Sequence, residues 1–177
     1  MDQPRQGHWG FYVVLGAGVA SAAVALWLVV FHYVLEPSPR APVSRVQSDQ
    51  VVLAHALEAY AADANTYPAA LWQLTTPTAY TAYPVPEDPF TPRPRRPLVY
   101  VPCNAERGHD GVPTAYRSWV LVSVGPDHVL DLDHARDLPP GASLKREAVE
   151  ALLAAKTYDP SNGTRSRGDI VKWGGAF

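Results

Sequence analysis

Cysteine is almost absent from this chain: Cys103 is the only one in 177 residues. A single thiol excludes an internal disulfide and any zinc centre built on several cysteines. A surplus of either charge is lacking too. Fifteen Lys and Arg stand against seventeen Asp and Glu, a formal net charge of −2, so no long-range field would gather nucleic acid and no nucleic-acid partner is expected. No glycine-rich phosphate loop and no EF-hand spacing occurs. His55, Glu58 and Asp63 follow helical spacing without a nucleophile or an oxyanion loop, and Cys103 has no adjacent histidine to activate it. The chain therefore reads as a protein that is not an enzyme.

What is present is proline, 18 residues of it, and one long apolar run. Residues 11–31, FYVVLGAGVASAAVALWLVVF, carry no charge, and residues 32–35 extend the run to Glu36. Twenty-one helical residues reach about 32 Å, enough for a bilayer core. A cleavable export signal would have an apolar region of about 7–15 residues ending in small side chains. This run ends in aromatics and Glu36 instead. The expectation is a retained transmembrane helix over 11–35, preceded by a cytoplasmic segment 1–10. Trp9, Phe11 and Tyr12 at one end and Trp27, Phe31 and Tyr33 at the other resemble interfacial belts. Arg5 and His8 before the span nearly balance Arg40 and Arg45 after it, so charge alone leaves the orientation open. Gly16 with Ala20 and Gly18 with Ala22 are small residues four apart, a spacing that lets helices approach closely.

Three prolines in residues 36–44 predict a linker. A head over 45–177 should follow. Val46, Gln50, Leu53, Leu57, Tyr60 and Ala64, at steps of three and four, predict an amphipathic helix capped by Ser44 and ended at Asn65. Eight prolines in residues 77–102 predict an extended wrapping loop, with Arg93, Arg95 and Arg96 on its surface. LVYVPC and RSWVLVSV read as strands. In the second, Trp119 and Leu121 should face one way and Val120, Val122 and Val124 the other. A second helix is expected after a Ser143 cap, with Leu144, Ala148, Leu152 and Ala155 inward, and DIVKW reads as a last strand. The fold class is α+β: a transmembrane helix, then an amphipathic helix packed on a small antiparallel sheet.

LAHALEAYAADANTYPAALWQL, with Leu53, Leu57, Tyr60, Asp63, Tyr67, Pro68, Leu71 and Leu74, resembles the helix and YP turn of the type II secretion pseudopilins, specifically the major pseudopilin family, general secretion pathway protein G. EDPF at residues 87–90, SWVLVSVGPD and YDPSNGTRSRGDI are similar to that family's later turn, strand and tail, in the same order. The resemblance implies a structural subunit anchored once in the bacterial inner membrane, with its C-terminal head in the periplasm. Such subunits assemble from the lipid into a short filament that promotes protein export. Implied partners are further copies or other pseudopilins, the inner-membrane secretion machinery and membrane lipid.

Family precursors are cut after a glycine, methylated, and carry glutamate at the fifth mature position. Here Gly10 and Phe11 match the cut, but Leu15 takes the place of the glutamate. A permanently tethered, monomeric binding module with the same head is therefore the alternative reading. Heads of this family often hold calcium in the loop after the central strand. Asp127, Asp131, Asp133, Asp159, Asn162 and Asp169 are the oxygen-bearing candidates, and calcium wants six to eight oxygens. An extended VLDLD would set Asp131 and Asp133 on one face about 6.6 Å apart. The other reading of these residues is local turn formation.

Overall fold

The computed structural model describes residues 9–30, 40–82, 84–159, 161 and 167–177, and divides the chain into two units, Met1–Ser38 and Pro39–Phe177. The first unit contains helix α1, Trp9–Val30, 22 residues without a charge in either end turn. Within α1 the described side chains are those of Tyr12 and residues 14–29, all exposed. Counted over the described residues, no helix is long and apolar enough to cross a membrane. The expected transmembrane span over 11–35 is therefore not supported among the described residues, which are helical as far as Val30, and residues 31–35, like residues 1–8, lie outside the described part.

The second unit is α+β. Helix α2, Arg40–Ala64, leads through a short 3₁₀ turn, Leu71–Leu74, to strands β1, Val99–Arg107, and β2, Pro113–Ser123. Helix α3, Arg146–Lys156, precedes the last strand, β3, Ile170–Gly175. The sheet is antiparallel in the order β1-β2-β3, with Val101 opposite Val120 and Val120 opposite Trp173. Both faces are covered, which explains why β2 reads as a nearly continuous apolar run. Trp119 and Leu121 join Val46, Leu53, Leu57, Leu71, Leu74 and Phe90 under α2. Val120 and Val122 join Val101, Cys103, Leu132, Leu138, Val149 and Leu153 under α3.

Four local expectations are corrected. Residues 40–44 are helical, not linker, because Pro42 falls in the first turn of α2, where a missing N–H costs nothing; Ser44 is inside the helix rather than its cap, and 36–39 lie outside the described residues. The buried stripe of α2 is Val43, Val46, Gln50, Leu53, Ala56 and Leu57, and Ala64 is exposed. Helix α3 starts at Arg146 after Lys145, so Ser143 caps nothing; its buried residues are Val149 and Leu153, the expected Leu144 and Leu152 pack half-buried against the same cluster, and Ala148 and Ala155 are exposed. Val124 follows the end of β2 and belongs with the α2 side. Asn65 does end α2, with φ of 55°.

The TYP turn ties α2 to the sheet. Tyr67 donates its hydroxyl to both Glu58 oxygens at 2.9 and 3.0 Å, and Trp119 Nε1 donates to the same carboxylate at 3.3 Å. Burial and Glu58 together push the Tyr67 phenol up to about 12, so it remains a donor at any working pH. Tyr80 donates to Asp63 at 2.9 Å, and Tyr100 to the Pro68 carbonyl at 2.8 Å. Glu58 and Asp63, both exposed, also serve as anchors for tyrosines. The proline-rich segment carries one bridge, Glu87 to Pro97, and cis bonds before Pro77 and Pro94. Asp88 is buried there. Its Oδ1 accepts from Phe90 N–H at 2.9 Å, a local turn, and its Oδ2 accepts from Val124 N–H at 3.1 Å, fixing the segment to the end of β2.

Candidate functional site

At Gly125 the chain leaves β2 with φ of +70°, and a Cβ there would stand 2.3 Å from the Gly168 carbonyl oxygen. Only glycine lets the loop after β2 lie this close to the segment entering β3. The loop then runs past Asp127, Asp131, Asp133 and Asp137 without forming a strand. The expected extended VLDLD is absent because the N–H groups of this stretch point at carboxylates instead of a neighbouring strand.

Each aspartate's partners define its role. Asp127 accepts from Val129 N–H at 3.2 Å and from Gly168 N–H at 3.3 Å. Asp133 Oδ1 accepts from Ala135 N–H at 3.0 Å, an ordinary aspartate turn, and its side chain is exposed. Asp159 accepts from Ser161 N–H at 2.8 Å, and hydrogen bonding by Ser161 holds its carboxyl below the usual range. Asp169 is fully buried. Its Oδ2 accepts from Leu132 N–H at 2.6 Å, while Oδ1 has no hydrogen-bond partner among the described residues. Burial raises its carboxyl to about 6, and the charges of Asp131 and Asp127 add to that rise. Asn162 lies outside the described residues.

The structure therefore brings Asp127, Asp131 and Asp169 to the joint between the two loops, and leaves Asp133 and Asp159 in their own turns. Among the described residues no three His, Cys, Asp or Glu side chains converge as metal ligands. Two residues that the sequence reading passed over complete the site. Lys156, the last residue of α3, donates through Nζ to the Asp131 carbonyl at 2.9 Å and forms a close ion pair with Asp137. The lysine in turn holds the Asp137 carboxyl below its usual value. Asp169 N–H donates to the Lys156 carbonyl, and Tyr158 N–H to the Asp169 carbonyl, both at 2.9 Å. A cleft of about 220 Å³, lined by Asp131, Ala155, Lys156, Thr157, Arg167 and Gly168, opens beside them. Nineteen residues separate Asp137 from Lys156, so no local spacing signals the pair.

In α1, the other candidate region, Gly16, Gly18, Ala20 and Ala22 are all exposed, and a Cβ built at Gly16 or Gly18 would meet nothing within 4 Å. Leu15, Gly18 and Ala22 share one shallow apolar groove with Val14 and Val19. The Gly10–Phe11 peptide lies in the first turn of α1.

No family model, curated protein or solved structure matches this chain.

Proposed function

We propose that the chain is a structural subunit of a type II secretion-like pseudopilus, held by α1 in the bacterial inner membrane with its α+β head in the periplasm. One observation carries the reading: an uncharged helix that is apolar on every described face is followed by a head whose leading amphipathic helix lies on a three-stranded antiparallel sheet. Residues 11–31 hold no charge, and Val14, Leu15, Val19, Val24, Leu26 and Leu28 are exposed. Lipid, or the same helix of a neighbouring copy, is the medium in which such a surface is stable. The small residues of α1 let neighbours approach, and Leu15 leaves their groove apolar where the family carries glutamate. Assembly of this chain then rests on close packing rather than on a buried charge pair.

The assembly test uses a cysteine at Ala20. Cys103 is fully buried, and burial pushes its thiol up to about 12, so it stays silent. Oxidation of the Ala20→Cys protein in native membranes should give a disulfide-linked dimer. Monomer alone under the same conditions would favour the tethered binding module.

A further inference from the structure

We propose that the open edge of β3 is a strand-acceptor site, which takes an extended acidic segment of another polypeptide alongside Val171, Lys172 and Trp173. The backbone lays the site out. In an antiparallel ladder, alternate residues turn both N–H and C=O toward the partner strand. Ala176 N–H donates to the Arg117 carbonyl at 2.8 Å, so in this register Gly174 and Lys172 face β2, while Trp173 and Val171 turn their backbone groups away from it. Asp169 has the same outward phase, and there the edge already has a partner. Thr157 forms a parallel bridge to Asp169, whose N–H donates to the Lys156 carbonyl and whose carbonyl accepts from Tyr158 N–H. Past that bridge, the outward backbone groups of Val171 and Trp173 have no hydrogen-bond partner among the described residues. The other edge of the sheet is closed. Asn104 N–H donates to the Ala142 carbonyl at 2.8 Å, and Gly141 N–H to the Pro102 carbonyl at 2.7 Å. A row of unpaired N–H and C=O groups is a template for one more strand.

The flanks of the edge select the occupant. An added strand alternates its side chains between the two faces of the sheet. Toward α2, the face of Leu121 and therefore of Lys172, it meets a groove of about 230 Å³ whose lining includes Gln47, Val51 and Lys172 and no acidic residue. Toward α3 it meets Trp173, with the Arg146 guanidinium 5.2 Å from the ring centroid. Neither Lys172 nor Arg146 has a carboxylate partner among the described residues. One uncompensated cation on each face favours a strand that carries Asp or Glu. The same charges oppose a second copy. Two β3 strands paired antiparallel about Trp173 would set their Lys172 side chains diagonally across one face, where like charges repel. The site belongs to the head alone, so the Ala20 crosslinking result leaves it untouched.

Fluorescence anisotropy of a labelled peptide of alternating valine and glutamate, added to the full-length protein in a neutral detergent, tests the proposal. The glutamate peptide should bind with Kd below about 1 mM, and its counterpart of alternating valine and lysine at least about fivefold more weakly. Lys172→Glu should reverse that order, which a lysine serving only the fold would not do. Val171→Pro removes one outward N–H, leaves the bonds between β2 and β3 in place, and should abolish binding with the near-ultraviolet circular dichroism unchanged. Absence of glutamate-peptide binding, equal binding of the two peptides, an unreversed order in Lys172→Glu, or binding that survives Val171→Pro each overturns the proposal. A dimeric protein that Val171→Pro renders monomeric overturns it in favour of a second copy. If Val171→Pro fails to fold, the order of the two peptides on the wild type and on Lys172→Glu keeps the question decided.

Discussion

Helices α1 and α2 are close in length, 22 and 25 residues, and opposite in what completes them. Every described side chain of α1 is exposed although the helix is apolar throughout. Helix α2 is mixed in composition and buries one stripe, with Leu53 and Leu57 fully enclosed and Gln50 Nε2 donating to the Ile170 carbonyl at 2.8 Å. The contrast teaches that the apolar stripe of α2 is enclosed within its own unit, whereas the described apolar side chains of α1 are exposed. On the proposed reading, stability of the head and retention in the membrane are separable properties.

The strongest way to break this comparison is to charge α1. Val19→Lys with Val24→Lys, each costing about 2.5–3.5 kcal/mol at the centre of a span, should release the full-length protein from carbonate-washed membranes while the unfolding of the head is unchanged. Retention of the double variant would refute the anchor. A smaller, opposite effect is expected in α2. Leu53→Ala empties a fully enclosed position and should destabilise the head by about 2–5 kcal/mol without altering membrane retention, while Val52→Ser on the same helix's exposed face should change stability by less than about 0.5 kcal/mol. Equal costs at the two positions would mean that α2 is buried by something other than the sheet.

The smallest effect sharpens the claim that the head's stability is internal. Asp169 has its carboxyl raised by burial from 3.8 to about 6, so the folded chain keeps a proton that the unfolded chain releases between those values. That contribution to stability is complete below about pH 4 and is lost as pH rises through about 6. Asp169→Asn, with Asn oxygen facing Leu132 N–H, should flatten this window and gain on the order of 1 kcal/mol at pH 7 in urea unfolding. A variant with the parent's pH profile would show that Asp169 is not the titrating group.

Much of the head was legible beforehand because its signals are local. Periodicity located α2, β-branched content located β1 and β2, and Asn65 ended α2 as expected of a residue that tolerates positive φ. Where reading failed, a nonlocal partner decided the matter. Glu58 and Asp63 sit on an outward-looking stretch of helix, yet tyrosines 9 and 17 residues away bond to them. Around α3 the expected Leu144 and Leu152 pack inward, but Val149 and Leu153 are the most enclosed and Ala148 and Ala155 are exposed, because the inward face centres on the Val149–Leu153 row. Of the six aspartate-loop candidates, which the family resemblance put forward beside a reading as local turns, Asp133 and Asp159 sit in their own turns, as that second reading expected, while Asp127 and Asp169 bond to backbone N–H groups of the facing segment.

Chemical composition along the chain determined that one uncharged run would form a helix with no polar face and that the remainder would fold as mixed α and β, since both follow from hydrophobic patterning within a few turns. Tertiary structure alone decided that a lysine at the end of α3 meets an aspartate 19 residues earlier, and that a buried Asp169 bonds to the backbone of Leu132. The physical reason is that hydrogen bonds and ion pairs depend on distances set by packing, and those distances have no period in the sequence.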